Sequence, residues 1–361
     1  MPTKVNRAEL LAKLQAIQPG TATHDRAVEQ ASCFIFRSGL AQSYNDDVAC
    51  TIASGLPEEF SGAVPAAKFL ALLSKMAEED IDLEWSDSEV VVSGRKGRKS
   101  GFRLEAEILS AVDSVEQPKE EEWKPLPEGF GEAVSIVQEC AGDEKQFITN
   151  VVNIHQKWLE AGDDVQCVRY KIKTDVKTPV MVRQKAIKHV STLGMTEFFD
   201  ADSWLHFRNP QGLTFSCRCF IDPPYPTDEI SAVLKQKDGH PMTLPKGLVD
   251  SVDLAETIIA GDKGSSVLIS LKPGRLNFKA VSSDGCWHKE AKKIAYEGNA
   301  MSFFISPKLL KDLVTKHHDV IVMEDKLRVD GGSYTYLSCL GIPEEESPAA
   351  EPVAAMADGE E

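Results

Sequence analysis

The stretch NDDVACT at residues 45–51 returns as GDDVQCV at residues 162–168, with Asp-Asp-Val-x-Cys intact. The offset is about 117 residues, close to one domain length, and points to internal duplication rather than to two active sites. After each string come a short apolar run and an amphipathic helix, VPAAKFLALLSKM at 64–76 and VMVRQKAIKHVSTL at 180–193. Lys68 and Lys185 repeat the same offset. A third helix of this kind, ISPKLLKDLVTKHH at 305–318, lies about 123 residues further on, with SSDGCW where the Asp-Asp string would stand.

Each of these helices precedes two strand-like runs around an Asp- or Ser-bearing turn: IDLEWSDSEVVVS, TEFFDADSWLHF and VIVMEDKLRV. A closing run follows, FRLEAEIL, LTFSCRCF or YTYLSCL. Upstream of each lies a further helix, RAELLAKLQAI, FGEAVSIVQECA or GLVDSVDLAETIIA, followed by alternating runs such as SCFIFRSGLAQSY. The pattern predicts an α+β chain of three tandem domains, each made of two βαβββ halves. Boundaries fall in charged, Pro-rich stretches: domain one at 1–119, ended by VEQPKEEEWKPLP; domain two at 120–226, ended by DPPYPTDE; domain three at 227–342. Residues 343–361 are an acidic, Pro- and Ala-rich segment expected to be a disordered tail.

Six such halves, most clearly through AVPAAKFLALLSKMAEEDIDLEWSDSEVVVSGRKGRKSGFRLEAE and AYEGNAMSFFISPKLLKDLV, resemble the DNA sliding clamp of bacterial replicative polymerases, the β-clamp family. The likeness covers residues 1–342. It implies clamp domains closed into a ring as a head-to-tail homodimer around double-stranded DNA, without sequence preference. It also implies a DNA polymerase tethered as client, an ATP-dependent clamp loader, and docking of short hydrophobic client peptides. The middle domain departs from the family, because AGDDVQCVRY stands where its Thr-Asp-Gly-His-Arg-Leu segment is expected.

The bulk properties agree with this. Of 361 residues, 42% are hydrophobic, enough to give each domain a core, and the N-terminus reads as neither a signal peptide nor a membrane span. A protein of the bacterial or phage-infected cytoplasm, with no membrane partner, is expected. Eight scattered cysteines read as reduced, buried thiols, and the C-x-C pair Cys217 and Cys219 is too short for a metal clip. The net charge of −16 excludes non-specific adhesion by the whole surface, but leaves binding by local clusters of positive charge. Asp46-Asp47 and Asp163-Asp164 could be imagined as metal-binding carboxylates of a DNA-modifying enzyme. Adjacent strand residues point to opposite faces, however, and Asp favours turns, so these pairs read as fold punctuation. No catalytic motif, metal site or cofactor is expected.

The cluster that matters lies on the helices. In the three later helices an apolar stripe leaves lysines off it: Lys68 and Lys75; Lys185 and Lys188, preceded by Arg183; Lys308 and Lys311. Any one such face is ordinary solvated helix, but recurrence favours a common task, which is contact with phosphates as mobile point charges. Arg7 and Lys13 continue the pattern in the first helix, whereas Glu128, Glu132 and Glu139 break it near 130–140 and the 246–259 helix is mostly acidic. The loop SGRKGRKSG, with Arg95, Lys96, Arg98 and Lys99, lacks P-loop spacing and reads as a basic hairpin beside DNA or a solvated turn. The resemblance further implies a client-peptide pocket involving Val233, Leu234, Leu337 and Cys339. It implies a dimer interface in which Ile258 and Ile259 oppose Phe102 and Leu104 of a second copy, although all four could instead be core. Two other functions stay open from sequence: a clamp acting mainly as a transcription coactivator, and a DNA-modifying enzyme.

Overall fold

The computed structural model describes residues 2–22, 28–115, 118–142, 146–260 and 266–342, apart from the side chains of Lys96 and Asp312. The acidic segment 343–361, expected to be a disordered tail, lies outside the described residues. The described chain divides into two compact units, up to Ala232 and from Val233.

In the first unit the order is β1 (Thr3–Asn6), α1 (Arg7–Ile17), β2 (Cys33–Arg37), β3 (Leu40–Tyr44), β4 (Val48–Ala53), β5 (Gly62–Pro65), α2 (Ala66–Lys75), β6 (Asp80–Trp85), β7 (Glu89–Ser93) and β8 (Lys99–Arg103). It continues with β9 (Lys124–Pro125), α3 (Phe130–Val137), β10 (Val151–His155), β11 (Trp158–Gly162), β12 (Gln166–Lys171), β13 (Val180–Arg183), α4 (Gln184–Ile187), β14 (Glu197–Asp200), β15 (Trp204–Arg208) and β16 (Thr214–Phe220). A short helix, α5 (Thr227–Leu234), follows. The second unit holds β17 (His240–Thr243), α6 (Leu248–Ile258), β18 (Val267–Lys272), β19 (Arg275–Val281), β20 (Trp287–Lys293), β21 (Met301–Ile305), α7 (Pro307–Lys316), β22 (Asp319–Val322), β23 (Lys326–Asp330) and β24 (Tyr334–Cys339). Strand, helix and three strands recur six times, as the sequence predicts.

The halves exchange their first strands. β1 pairs with β6 in the sheet β1-β6-β7-β8, while β5 pairs with β2 beside β3 and β4. The same exchange places β9 on β14 and β13 on β10, and in the second unit β17 on β22 and β21 on β18. Each pair of halves thus shares two sheets, and the helices pack together on them, α1 on α2 and α6 on α7. Phe34, Phe36, Phe60 and Phe69 fill the first such core at 0–1% exposure, with Phe36 edge-on to Phe69. In the second unit Leu276, Phe278, Leu310 and Val314 are buried at 0–2% exposure.

A strand ladder links the first two predicted domains. β16 pairs with β15, with β13 and also with β4, Thr214 lying opposite Thr51. The regions 1–119 and 120–226 therefore share one hydrogen-bonded strand ladder, and both lie in the unit that runs to Ala232. The Asp-Asp strings sit on β3–β4 and β11–β12 hairpin turns, but one residue out of step. Asn45 Oδ1 accepts from the Asp47 and Val48 amides, and Asp163 Oδ1 accepts from the Val165 and Gln166 amides. The structural counterpart of Asp163 is therefore Asn45, and Asp46 and Asp47 are free for another task. They pair with Arg218 and Arg183, at 2.5 and 3.1 Å, tying the β3–β4 turn to β16 and β13. Burial holds the Asp47 carboxyl above its ordinary range despite Arg183.

Three local expectations change. The helix predicted over 180–193 starts only at Gln184, because Val180–Arg183 pairs with β10 as β13. The strand predicted through FRLEAEIL ends at Arg103: Leu104 turns inward onto Gly62, whose φ of +137° and missing Cβ admit it, and Glu105 bridges Ala63. Of the eight cysteines, none in a disulfide, five are buried, whereas Cys219 is half-buried and Cys286 and Cys339 are exposed.

A buried ion pair anchors the end of the first unit. Glu160, at 0% exposure, accepts from Arg169 Nε at 2.7 Å, from Asn153 at 2.8 Å and from the Thr227 hydroxyl at 2.6 Å. Arg169 also reaches the Thr227 carbonyl and Ser231 of α5. Glu160→Ala leaves the largely covered Arg169, 16% exposed, without its counter-charge, and thermal unfolding is expected to show a loss of about 3–5 kcal/mol; a loss below about 1 kcal/mol, the scale of an exposed pair, would contradict the anchor.

His206 is fully buried, and burial pulls its pKa from the ordinary 6.5 to about 4. The unfolded chain therefore takes up this proton first. The stability due to a neutral His206 is present above about 6.5, is lost as pH falls toward about 4, and does not change further below. The loss is of order 3 kcal/mol, and it is expected to flatten in His206→Asn when denaturant midpoints are measured across this window.

Candidate nucleic-acid interface

The strand pairings fix the register of the lysine-bearing helices. Pro65 and Arg183, the residues before α2 and α4, occupy equivalent places opposite Cys33 and Val151. Lys185 is thus the second residue of its helix, as Lys308 is of α7, and both are exposed. Lys188 and Lys311 share the fifth position. Lys68 is the third residue of α2 and does not match Lys185, because the string repeat is one residue out of step with the fold. Lys75 instead has a counterpart that sequence reasoning missed: exposed Lys316, the last residue of α7. The buried positions agree with this register, Phe69, Ile187 and Leu310 each facing the core.

Among the described residues, Lys68, Lys75, Lys188 and Lys308 have no hydrogen-bonding or ionic partner, so their ammonium groups are available to an external anion. The other predicted cations have internal work. Arg7 donates through Nε to the Glu78 carbonyl at 2.7 Å and through Nη1 to Leu73 at 3.0 Å, closing the end of α2. Lys13 pairs with Glu9 at 2.8 Å and reaches the Ser54 carbonyl. Arg183 pairs with Asp47 and lies over Phe147 and Phe220. Lys311 is held by Asp253 at 2.5 Å and Glu256 at 3.3 Å, so the acidic face of α6 is partly spent on its neighbour. These hydrogen bonds and charges raise the Lys311 pKa. A sequence cannot separate these classes, because the partners lie on other elements.

The basic loop joins β7 to β8, as predicted. Arg95, Arg98 and Lys99 are exposed, Gly97 takes a φ of +72°, and the Lys96 side chain lies outside the described residues.

Of the pocket residues, Leu234 and Leu337 are buried, Val233 is half-buried and Cys339 is exposed. Arg328 brings the two leucines to one corner: it stands opposite Leu337 and donates to the carbonyls of Leu234 and Gln236. Of the four interface residues, Leu104 and Ile259 are each 3% exposed and belong to their own cores. Phe102 and Ile258 are half-exposed, Phe102 resting edge-on against Phe69. Phe102 lies on β8, an edge strand whose outer side has no partner strand among the described residues, and β20 is such an edge in the second unit.

No protein-family model matches the sequence, and no curated protein matches it significantly. Solved structures do. A putative DNA polymerase III β subunit from Eubacterium rectale superposes with a TM-score of 0.74 at 16% identity, over 94% of this chain and 99% of its own. The Pseudomonas aeruginosa DNA polymerase III subunit β gives 0.72 at 13%, over 95% and 100%. The Bartonella birtlesii sliding clamp, solved with griselimycin bound, gives 0.76 at 15%, over 94% and 99%. Strand exchange, helix pairing and sixfold module order thus belong to a known architecture: this chain has the fold of the DNA polymerase III β-subunit sliding clamps.

Proposed function

We propose that the protein is a DNA polymerase processivity factor, a sliding clamp that encircles duplex DNA as a head-to-tail homodimer and carries out no covalent chemistry. The observation that supports this most is the near-complete, full-length likeness to DNA polymerase III β subunits, combined with exposed lysines on three equivalent helices. Lysines on mobile stems attract phosphates without reading bases, which suits a protein that must slide. Enclosure then replaces affinity. An ATP-dependent loader would open the ring, and the polymerase and other clients would dock at the Leu234–Leu337 corner, in the cytoplasm of a bacterial or phage-infected cell. A DNA-modifying enzyme is not favoured, since Asp46 and Asp47 are each engaged by an arginine. A transcription coactivator is not favoured either, since the structural neighbours are replicative subunits by name.

The test uses nicked circular DNA, ATP and a host extract as source of loader, followed by gel filtration. The protein is expected to stay on the circle and to be lost when the circle is cut. Changing Lys68, Lys185, Lys188 and Lys308 to Gln together is expected to weaken binding to short duplexes and to lower the salt slope by about 0.9 for each phosphate that is no longer neutralised. Circular dichroism should not change. Equal dissociation from circular and linear DNA would refute enclosure.

Dimer closure would use the open edges β8 and β20, much as β4 and β16 join inside the first unit, with Ile258 and Phe102 beside them. Sedimentation of Ile258→Arg is expected to show a folded monomer, whereas Ile259→Ala should cost about 2–5 kcal/mol of fold stability as a core lesion. An Ile258→Arg protein that stays dimeric would remove this residue from the interface.

A further inference from the structure

The sheet β20-β19-β18-β21 buries one face against its helices and leaves the other open. Along the open face, cross-strand pairing sets Lys293 beside Arg275 and Arg275 beside Lys272, then Lys289 beside Lys279. All five cations are exposed, and none is in an ion pair among the described residues. No carboxylate occupies an outward position of these four strands. Beside the lysines, Trp287 is 65% and its cross-strand partner Val281 48% exposed, an uncommon place to leave an indole in water. In a chain of net charge −16, five unpaired cations on one sheet face are a local inversion that calls for an anion.

The last described residues lie beside the same sheet. Gly341 bridges Phe304 of β21, its N–H donating to the Phe304 carbonyl at 3.0 Å. From Phe304 one cross-strand row runs through Leu268 and Lys279 to Lys289. That row is about 14 Å wide at the usual strand spacing, a distance that four or five extended residues cover. Residues 343–361 carry seven carboxylates and no lysine or arginine, beginning with Glu344, Glu345 and Glu346.

We propose that the acidic segment 343–361 of the same chain docks on this face, Glu344–Glu346 lying along the Lys279 and Lys289 row and covering Trp287. The attachment at Gly341 makes the encounter intramolecular, so weak individual ion pairs act at high effective concentration. The consequence is a surface closed to nucleic acid: carboxylates occupy the cations that would otherwise hold phosphates away from the lysines of α2, α4 and α7.

The test compares the full chain with one stopped after Ile342, each with and without Trp287→Phe, so that the difference isolates one indole. Quenching of Trp287 by acrylamide, a neutral probe, is expected to rise several-fold when residues 343–361 are removed. The full chain should reach the same high value at about 1 M salt, where the screening length is about 3 Å. Lys279→Glu with Lys289→Glu should have the same effect at low salt, with circular dichroism unchanged. Equal quenching with and without the segment would overturn the proposal. So would duplex DNA binding by the full chain that the Lys279→Glu, Lys289→Glu variant abolishes, because the face would then belong to nucleic acid.

Discussion

The exchange of first strands between paired βαβββ halves is the constraint on which the rest depends. A single half holds three antiparallel strands and one helix, too little to bury the apolar stripe of that helix. Lending β1 to β6 and receiving β5 beside β2 completes two sheets at once and brings α1 against α2. The helices are then covered on one side by both sheets, and their polar sides are presented together. That is why Lys68, Lys185 and Lys308 are exposed while Phe69, Ile187 and Leu310 are not.

The same construction leaves edges that must be managed. β4 and β16 satisfy one another and carry one strand ladder from the first predicted domain into the second. The ion pairs of Asp46 and Asp47 with Arg218 and Arg183 stand at this seam. Carboxylates that resemble a metal site on paper thus act as fasteners between modules. β8 and β20 have no outer partner strand among the described residues, and an unpaired edge invites another strand, which is a hazard in a monomer and an asset in an assembly.

Charge is distributed by role rather than by average. Among the cations singled out on the helices, some are bound internally, as Arg7 is to the carbonyls that end α2 and Lys311 to Asp253 and Glu256. Others, such as Lys68 and Lys308, stay available. A formal charge of −16 conceals both this division and the cationic face of β18–β21.

The module order, all six helices of the repeated halves and most strands were legible because amphipathic periodicity and turn residues are local properties. RAELLAKLQAI reads as the helix α1, and IDLEWSDSEVVVS as the β6–β7 hairpin that follows α2. Register was not legible. The Asp-Asp-Val match slips by one residue because Asn45 and Asp163 do the same turn work with different side chains, and only the hydrogen bonds reveal it. Nor could sequence distinguish Leu104 and Ile259, buried in their own cores, from half-exposed Phe102 and Ile258, since all four are apolar and the members of each pair lie one or two residues apart. The sequence by itself determined the repeated α+β modules and the lysine-bearing helix faces, because 3.6- and 2-residue periods encode which side is apolar. Tertiary structure alone decided which cations are free, which hydrophobic residues are core and which strands pair between the repeated modules, because each depends on a partner distant in the chain.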